Sequence, residues 1–448
     1  MAKEKKAAKE LTPEEKLTRA LVPAEEQPYR VPGNWCWTYW GHCGEFIAGN
    51  GFKNQYQGFT KYDIPFYKVG SLKFSDSNGY LYDKSNTINE KIRTTLKATL
   101  IPVNSILFAK IGEAIRLNRR SLNVVPCCID NNMMAFIPST CIYKYAFYWS
   151  NGIDLYNYAN ATTVPAIRKS DLEVIPFPLP PLAEQQRIVD RIESLFVKLD
   201  EAKEKAQAVV DGFELRRSAI LHKAFTGELT RKWRQTHDKK KSDWHMVRFD
   251  EVAEIKSNLV NPANYQNSPH IAPDNIEKRT GILLEYHTIA EDGVTSGKHR
   301  FHAGQILYSK IRPYLSKVIT VDFDGLCSAD MYPIDAKEYP RYLWYYMLAD
   351  EFLVQASSAG SRSVLPKINQ KELSKIMVHM TSLEEQQEIV MILDTIFEKE
   401  QQAKEAAESV LAQIDIMKKA ILARAFRGEL GTNNPDEENA EVLLKQIL

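Results

Sequence analysis

Residues 180–196, PPLAEQQRIVDRIESLF, return 201 positions later as residues 381–397, TSLEEQQEIVMILDTIF. The stretches that close the two copies also match: Lys223-Ala224-Phe225-Thr226-Gly227-Glu228-Leu229 against Arg424-Ala425-Phe426-Arg427-Gly428-Glu429-Leu430. The offset is the same from Glu184/Glu385 to Leu229/Leu430, so neither copy has gained or lost a residue. One inserted residue would turn everything after it by about 100° around a helix. A constant offset therefore marks a long helix held to length, and the chain is a duplicated unit.

The first copy places apolar or small residues at Ile188, Ile192, Leu195, Leu199, Ala202, Ala206, Val209, Phe213 and Ile220. The second repeats them at Ile389, Leu393, Ile396, Ala403, Ala407, Val410, Ile414, Met417 and Ile421, with Glu400 where the first has Leu199. Steps of four and three, with one full heptad across Arg216, predict a coiled-coil seam of roughly four to five heptads. Ser382 with Glu385 three residues on is a capping-box pattern, and Gly227 and Gly428 suit left-handed C-caps. Each helix would run about 65 Å. Two helices of equal length separated by a globular domain can fold back on each other antiparallel. An ordinary oligomerisation element is the plainer reading of the seam taken alone.

The order along the chain is a charged arm (1–29), a first globular domain (30–181), a helix (182–230), a linker (231–241), a second globular domain (242–381), a second helix (382–430) and an acidic tail (431–448). The domains repeat more loosely than the helices. Asn104-Ser105-Ile106-Leu107-Phe108-Ala109-Lys110-Ile111 matches Gly304-Gln305-Ile306-Leu307-Tyr308-Ser309-Lys310-Ile311. Likewise Thr163-Val164-Pro165-Ala166-Ile167 matches Val364-Leu365-Pro366-Lys367-Ile368. Short β-rich runs alternate with Gly, Asn, Asp and Pro clusters, and each domain carries an aromatic-rich helix, which predicts a mixed α/β class. The aromatic helices, around Tyr145–Trp149 and Tyr342–Tyr346, are read as core. Helices that kept their sequence while the domains diverged imply a common frame carrying two different readers.

The 448 residues exceed one ordinary core. The net charge of +1 hides a division: residues 30–181 hold 16 Lys/Arg against 10 Asp/Glu, and residues 382–448 hold 7 against 14. A mildly basic first domain fits a polyanionic partner. Six cysteines form no CxxC pair, which predicts reduced, mostly buried thiols in a cytoplasmic protein. No apolar run is long enough to span a bilayer, and the lysines near the N-terminus have no apolar segment behind them, so neither a membrane partner nor a secretory signal is expected.

The paired LxEQQxIV…FxGEL helices, each following a divergent domain that ends in a VPxI-type segment, resemble the specificity (S) subunit of type I restriction–modification enzymes. The opening LTPEEKLTRALVPAEEQPYRVPGNW and the linker GELTRKWR resemble the EcoA-type (type IB) subgroup. The resemblance implies a pseudo-twofold pair of α/β target recognition domains joined by two long antiparallel coiled-coil helices. Each domain would read one half of a bipartite, asymmetric sequence in double-stranded DNA, with the gap set by the helical spacer. Two modification (M) subunits and two restriction (R) subunits would dock on the chain. S-adenosylmethionine is expected on the M partner, ATP and Mg2+ on the R partner, and no cofactor on this chain. A non-catalytic coiled-coil scaffold organising protein partners is the alternative.

No catalytic constellation is legible. The NPPY or DPPY signature of adenine methyltransferases is missing, and Gly293-Val294-Thr295-Ser296-Gly297-Lys298-His299 is too short in spacing for a phosphate loop. Phosphate contact needs Lys or Arg, and base readout needs donors and acceptors at groove-facing loops. In the first domain this singles out Lys53, Asn54 and Gln55; Lys68, Ser71 and Lys73; and Lys110, Arg116, Asn118, Arg119 and Arg120. In the second it singles out Lys298, His299 and Arg300; Lys310, Arg312, Tyr314 and Lys317; and Ser361 with Arg362. Lys110 and Lys310 stand out because the same residue recurs at the matched strand end. No metal ligands are expected.

Overall fold

The computed structural model describes residues 12–160, 164–359 and 366–446. The chain divides into two compact units, Met1–Lys203 with Ala412–Leu448, and Glu204–Leu411. Each unit holds one α/β domain, the start of one long helix and the end of the other.

In the first unit a five-stranded sheet runs in the order Gly44–Ala48, Met133–Pro138, Ile106–Ala109, Arg120–Asn123, Tyr80–Leu81. Its first three pairings are antiparallel and the last is parallel. The strand Ile106–Ala109 is central because all four of its residues are buried, so a continuous apolar run fits where both faces are covered. A three-stranded sheet (Thr87–Ile88, Ile64–Tyr67, Cys128–Ile129) lies in the same domain. A separate ribbon pairs Cys36–Tyr39 with Pro176–Leu179, closing the domain's two ends on each other.

The second unit repeats the central plan. Ala253–Ile255, Met331–Ala336, Ile306–Ser309 and Val318–Thr320 form a four-stranded antiparallel sheet, and His245–Arg248 pairs with Met377–Met380. The register carries over: Ala109 faces Met133 as Ser309 faces Met331. A five-stranded sheet (Leu259–Val260, Lys298–Phe301, Gly325–Cys327, Pro269–Ile271, His287–Thr288) completes it. The aromatic helices are Tyr143–Asn151 and Pro340–Leu348, and both bury their rings. Tyr145 meets Phe426 edge-on with centroids 5.3 Å apart, and Tyr342 meets Phe225 at 5.4 Å. All six cysteines are buried and unpaired.

The second long helix, Leu383–Ala425, is continuous, whereas the first is assigned as Leu182–Asp211 followed by Phe213–Phe225. The step falls at Gly212, a poor helix former, where the second copy has Gln413. Backbone bonding carries across it, from Gly212 N to Ala208 O at 3.1 Å and from Arg216 N to Gly212 O at 3.0 Å. In the first unit Lys418 Nζ bonds Asp200 at 2.6 Å and stands 5.0 Å over the Phe196 ring. In the second, Arg216 bonds Glu400 at 2.8 Å and Arg217 stands 3.9 Å over Phe397. Each pairing joins the start of one helix to the end of the other, so the helices pack antiparallel in both units. Of the seam, Ile188, Ile192, Phe213, Ile389, Leu393 and Ile414 are buried; Leu195, Leu199, Ile220, Ile396 and Ile421 are half-buried; Met417 is exposed.

The repeated EQQ triplet is an anchor. Glu184 accepts Thr432 Oγ1 at 2.7 Å and the Arg187 guanidinium at 2.8 Å. Glu385 accepts Thr230 Oγ1 at 2.7 Å, Thr381 Oγ1 at 2.6 Å, Trp244 Nε1 at 2.9 Å and Arg234 at 2.5 Å. Each carboxylate thus ties the start of its helix to the segment after the other helix, beyond a Gly in the left-handed region: Gly428 at φ 74° and Gly227 at φ 76°. Gln185 is fully buried, accepting Ile142 N at 2.8 Å and donating to Pro180 O at 2.9 Å, which fixes the helix to its domain. Ser382 Oγ accepts Glu385 N at 3.4 Å as a capping box requires. The Glu385 carboxylate does not return the bond, because four other donors claim it.

Candidate nucleic-acid interface

Lys110 and Lys310 occupy equivalent places, and the VPxI-type segments put them there. Lys110 N donates to Asn132 O and Lys110 O accepts Ile167 N, both at 2.9 Å; Lys310 repeats this with Asp330 O and Ile368 N at the same distances. Gly112 N reaches Pro165 O at 2.7 Å, and Arg312 N reaches Pro366 O at 2.8 Å. The bridges Ile111↔Ala166 and Ile311↔Lys367 complete the clamp. A segment far along the chain therefore locks the backbone where the central strand ends. Both lysines are half-buried; Lys310 Nζ donates to Ala329 O at 2.6 Å and lies 5.3 Å over the Tyr332 ring.

Beyond the clamp the domains part. Gly112 sits at φ 81°, ψ −175°, a conformation only glycine adopts readily. Arg312, at the position matching Gly112, sits at φ 48°, ψ 58°, and Ser316 is left-handed as well. A non-glycine residue held there costs about 1 kcal/mol or more. Arg312 and Tyr314 are exposed.

The remaining candidates separate by burial. Arg120 is 6% exposed; its guanidinium donates to Asn118 Oδ1 at 2.9 Å and to the Arg119 and Ile153 carbonyls at 3.2 Å. Burial brings its pKa down to about 9. Asn118, left-handed at φ 48°, also bonds Ile153 O and Leu155 N, so the pair organises a loop. Lys298 is buried with Nζ on Ser296, and His299 is buried, with burial lowering its pKa. Lys317 is tied to Pro273 O at 2.6 Å and Ser71 is buried beneath Lys68 N. Lys68 Nζ bonds Gln57 Oε1 at 2.9 Å. Arg116 pairs with Glu113 and stacks 3.7 Å over Tyr156.

Lys53, Asn54, Gln55, Lys73 and Arg119 are exposed on loops and short turns, and Arg300 is exposed within the strand Lys298–Phe301. Ser361 and Arg362 lie outside the described residues. Arg168 and Lys367, which adjoin the clamp residues Ile167 and Ile368, are also exposed, although Lys367 bonds Asp330 at 3.2 Å; the recurring VPxI-type motif is the signal in the sequence that points to them. Among the described residues no group of three His, Cys, Asp or Glu could hold a metal ion, and no helix is long and apolar enough to cross a membrane.

Residues 45–209 and 241–409 each match the family model described as type I restriction modification DNA specificity domain. The chain is 41% identical over 315 residues to the EcoDI specificity subunit of Escherichia coli, across 64% of this chain and 71% of that one. It is 27% identical over 321 residues to the EcoBI specificity subunit of Escherichia coli, across 64% and 67%. The fold is similar to that of the HsdS subunit from Thermoanaerobacter tengcongensis, with TM-score 0.63 and 19% identity over 90% of this chain and 99% of that one. A chain from a type I restriction–modification assembly gives TM-score 0.65 at 18% identity, over 90% and 100%. Two copies of one recognition domain on a duplicated helical frame thus agree with both family match and fold: the chain belongs to the type I restriction–modification DNA specificity family, whose role is recognition and not catalysis.

Proposed function

We propose that this chain is the recognition subunit of a type I restriction–modification complex, residues 30–181 reading one half of a bipartite, asymmetric duplex and residues 242–381 the other. The observation that carries this reading is the clamped strand end. The same lysine leaves the same clamp in both domains, while the loops after it differ in every groove-capable residue. A shared cation suits the uniform phosphate backbone, and divergent loops suit two different base sequences. Among the candidates, Lys53, Asn54, Gln55, Lys73, Arg119, Arg300, Arg312 and Tyr314 have the exposure that contact requires. Arg120, Lys298 and His299 act instead as loop supports.

The antiparallel helices set the gap between the half-sites and carry two M and two R subunits. Methyl transfer with S-adenosylmethionine and ATP- and Mg2+-dependent cleavage belong to those partners. Methylome sequencing of a host carrying this chain with its M partners tests the proposal. One bipartite motif with unlike halves is the expected result; a continuous motif, or no modified motif, would overturn it.

A further inference from the structure

Beyond DNA reading, the first unit carries an open groove of about 540 Å³ with no counterpart of similar size at the matching place in the second. Its lining includes Arg116, Trp149, Lys419, Leu422, Phe426 and Arg427. Trp149, Leu422 and Phe426 form an apolar floor, while Arg116, Lys419 and Arg427 are exposed cations. Arg120 adds charge from beneath, because Ile153 and Asn118, which it bonds, are themselves part of the groove wall. Asp154 is the acidic residue on the wall.

The matching place in the second unit can be identified by its pairs. Lys144–Glu193 corresponds to Arg341–Asp394, and Tyr148 over Phe196 corresponds to Tyr345 over Phe397. There Ser218 and Leu221 stand where the first unit has Lys419 and Leu422. They are covered by the first turn of the helix Asp350–Ala359: Ser218 Oγ donates to Asp350, His222 meets Glu351 at 2.5 Å, and Arg279 approaches Asp350 at 3.8 Å. A space of only about 20 Å³ is left beneath that turn, beside a separate one of about 370 Å³ lined by Arg217, Arg341 and Phe397. The first unit has Gly152, Ile153 and Asp154 at this point, followed by the short turn Leu155–Tyr158, and nothing among the described residues fills the groove.

We propose that this groove docks the first turn of an acidic, amphipathic helix from a partner protein, one copy per chain. The second unit supplies its own such turn, Asp350-Glu351 followed by the buried Phe352. In the first unit Lys419 replaces the neutral Ser218, so a carboxylate arriving there gains a cation. The apolar floor favours a protein segment over a phosphate backbone, which needs cations without an aromatic pocket.

The probe is a labelled, end-capped peptide of residues 349–359, ADEFLVQASSA, titrated into the full chain without DNA and followed by fluorescence anisotropy. Saturable binding of one equivalent is expected, weakened at least tenfold by Lys419→Glu with Arg427→Glu, and lost in Ala423→Trp, which fills the groove. Replacing the peptide's Asp and Glu by Asn and Gln must weaken binding to the unaltered chain as well, a readout independent of how the variants fold. No saturable binding, two equivalents, indifference to these changes, or displacement by a short DNA duplex would overturn the proposal. The peptide titration itself contains no DNA, so its failure leaves the recognition reading untouched.

Discussion

Arg216 Nε donates to Glu400 Oε2 at 2.8 Å, joining the two seam positions that break the heptad pattern. Their partners 201 residues away are Met417 and Leu199. One layer of the antiparallel frame is therefore apolar in type in one unit and ionic in the other. An ion pair in a seam fixes register more than it adds stability. Arg216 is 38% and Glu400 23% exposed at the side chain, so solvent screens the pair. A double-mutant cycle should give a coupling of about 1 kcal/mol or less that falls with salt. Replacing both, as Arg216→Met with Glu400→Leu, should change stability little; a loss of several kcal/mol would show that the pair holds the frame.

The two EQQ carboxylates should respond oppositely to acid. Burial would raise Glu385, yet bonds from Thr230, Thr381, Arg234 and Trp244 bring it below the ordinary carboxylate range. Its contribution is therefore full above that range and is lost as pH falls through the depressed value. Burial leaves Glu184 raised, so its contribution is lost as pH rises through the raised value. Hydrogen exchange followed as pH is lowered should show amides of residues 227–236 loosening as Glu385 is protonated; protection there that does not change with acid would count against the carboxylate as the anchor. Glu385→Gln should cost about 3 kcal/mol at neutral pH by stranding the buried Arg234 charge.

Arg312 keeps a left-handed backbone where a glycine would be at ease. Arg312→Gly should raise the stability of the second unit by up to about 1 kcal/mol. In the same variant DNA affinity should fall, with the log–log salt slope reduced by about one if the side chain meets a phosphate. Unchanged affinity would remove Arg312 from the interface.

Matched insertions of four residues after positions 205 and 406 would lengthen each helix by about 6 Å, close to two base pairs at about 3.4 Å each. The modified motif should keep both halves and widen its gap. A constant gap would count against the helices as its measure.

The frame was legible because a helix of fixed length leaves a constant offset, and Glu400 and Arg216 already stood out as irregular. Lys110 and Lys310 could be matched because a buried strand keeps its pattern on both sides. The anchors were not legible: nothing local tells that Glu385 meets Thr230 and Trp244, or that Trp35 bonds Asn433 at 3.2 Å, since these pairings span 141 to 398 residues. Nor does order alone distinguish Arg120, folded inward onto carbonyls, from Arg119 beside it in solvent. A cation reads alike in sequence wherever it points: Arg120 opens a strand whose four residues are all buried, whereas Arg119 stands just before it.

If each domain reads its own half of the target, the two halves are separable. Exchanging residues 30–181 for the corresponding domain of another specificity subunit, followed by methylome sequencing with the M partners present, separates them. One half-site should be replaced while the other half and the gap are kept; a change in both halves would show that the domains do not read independently.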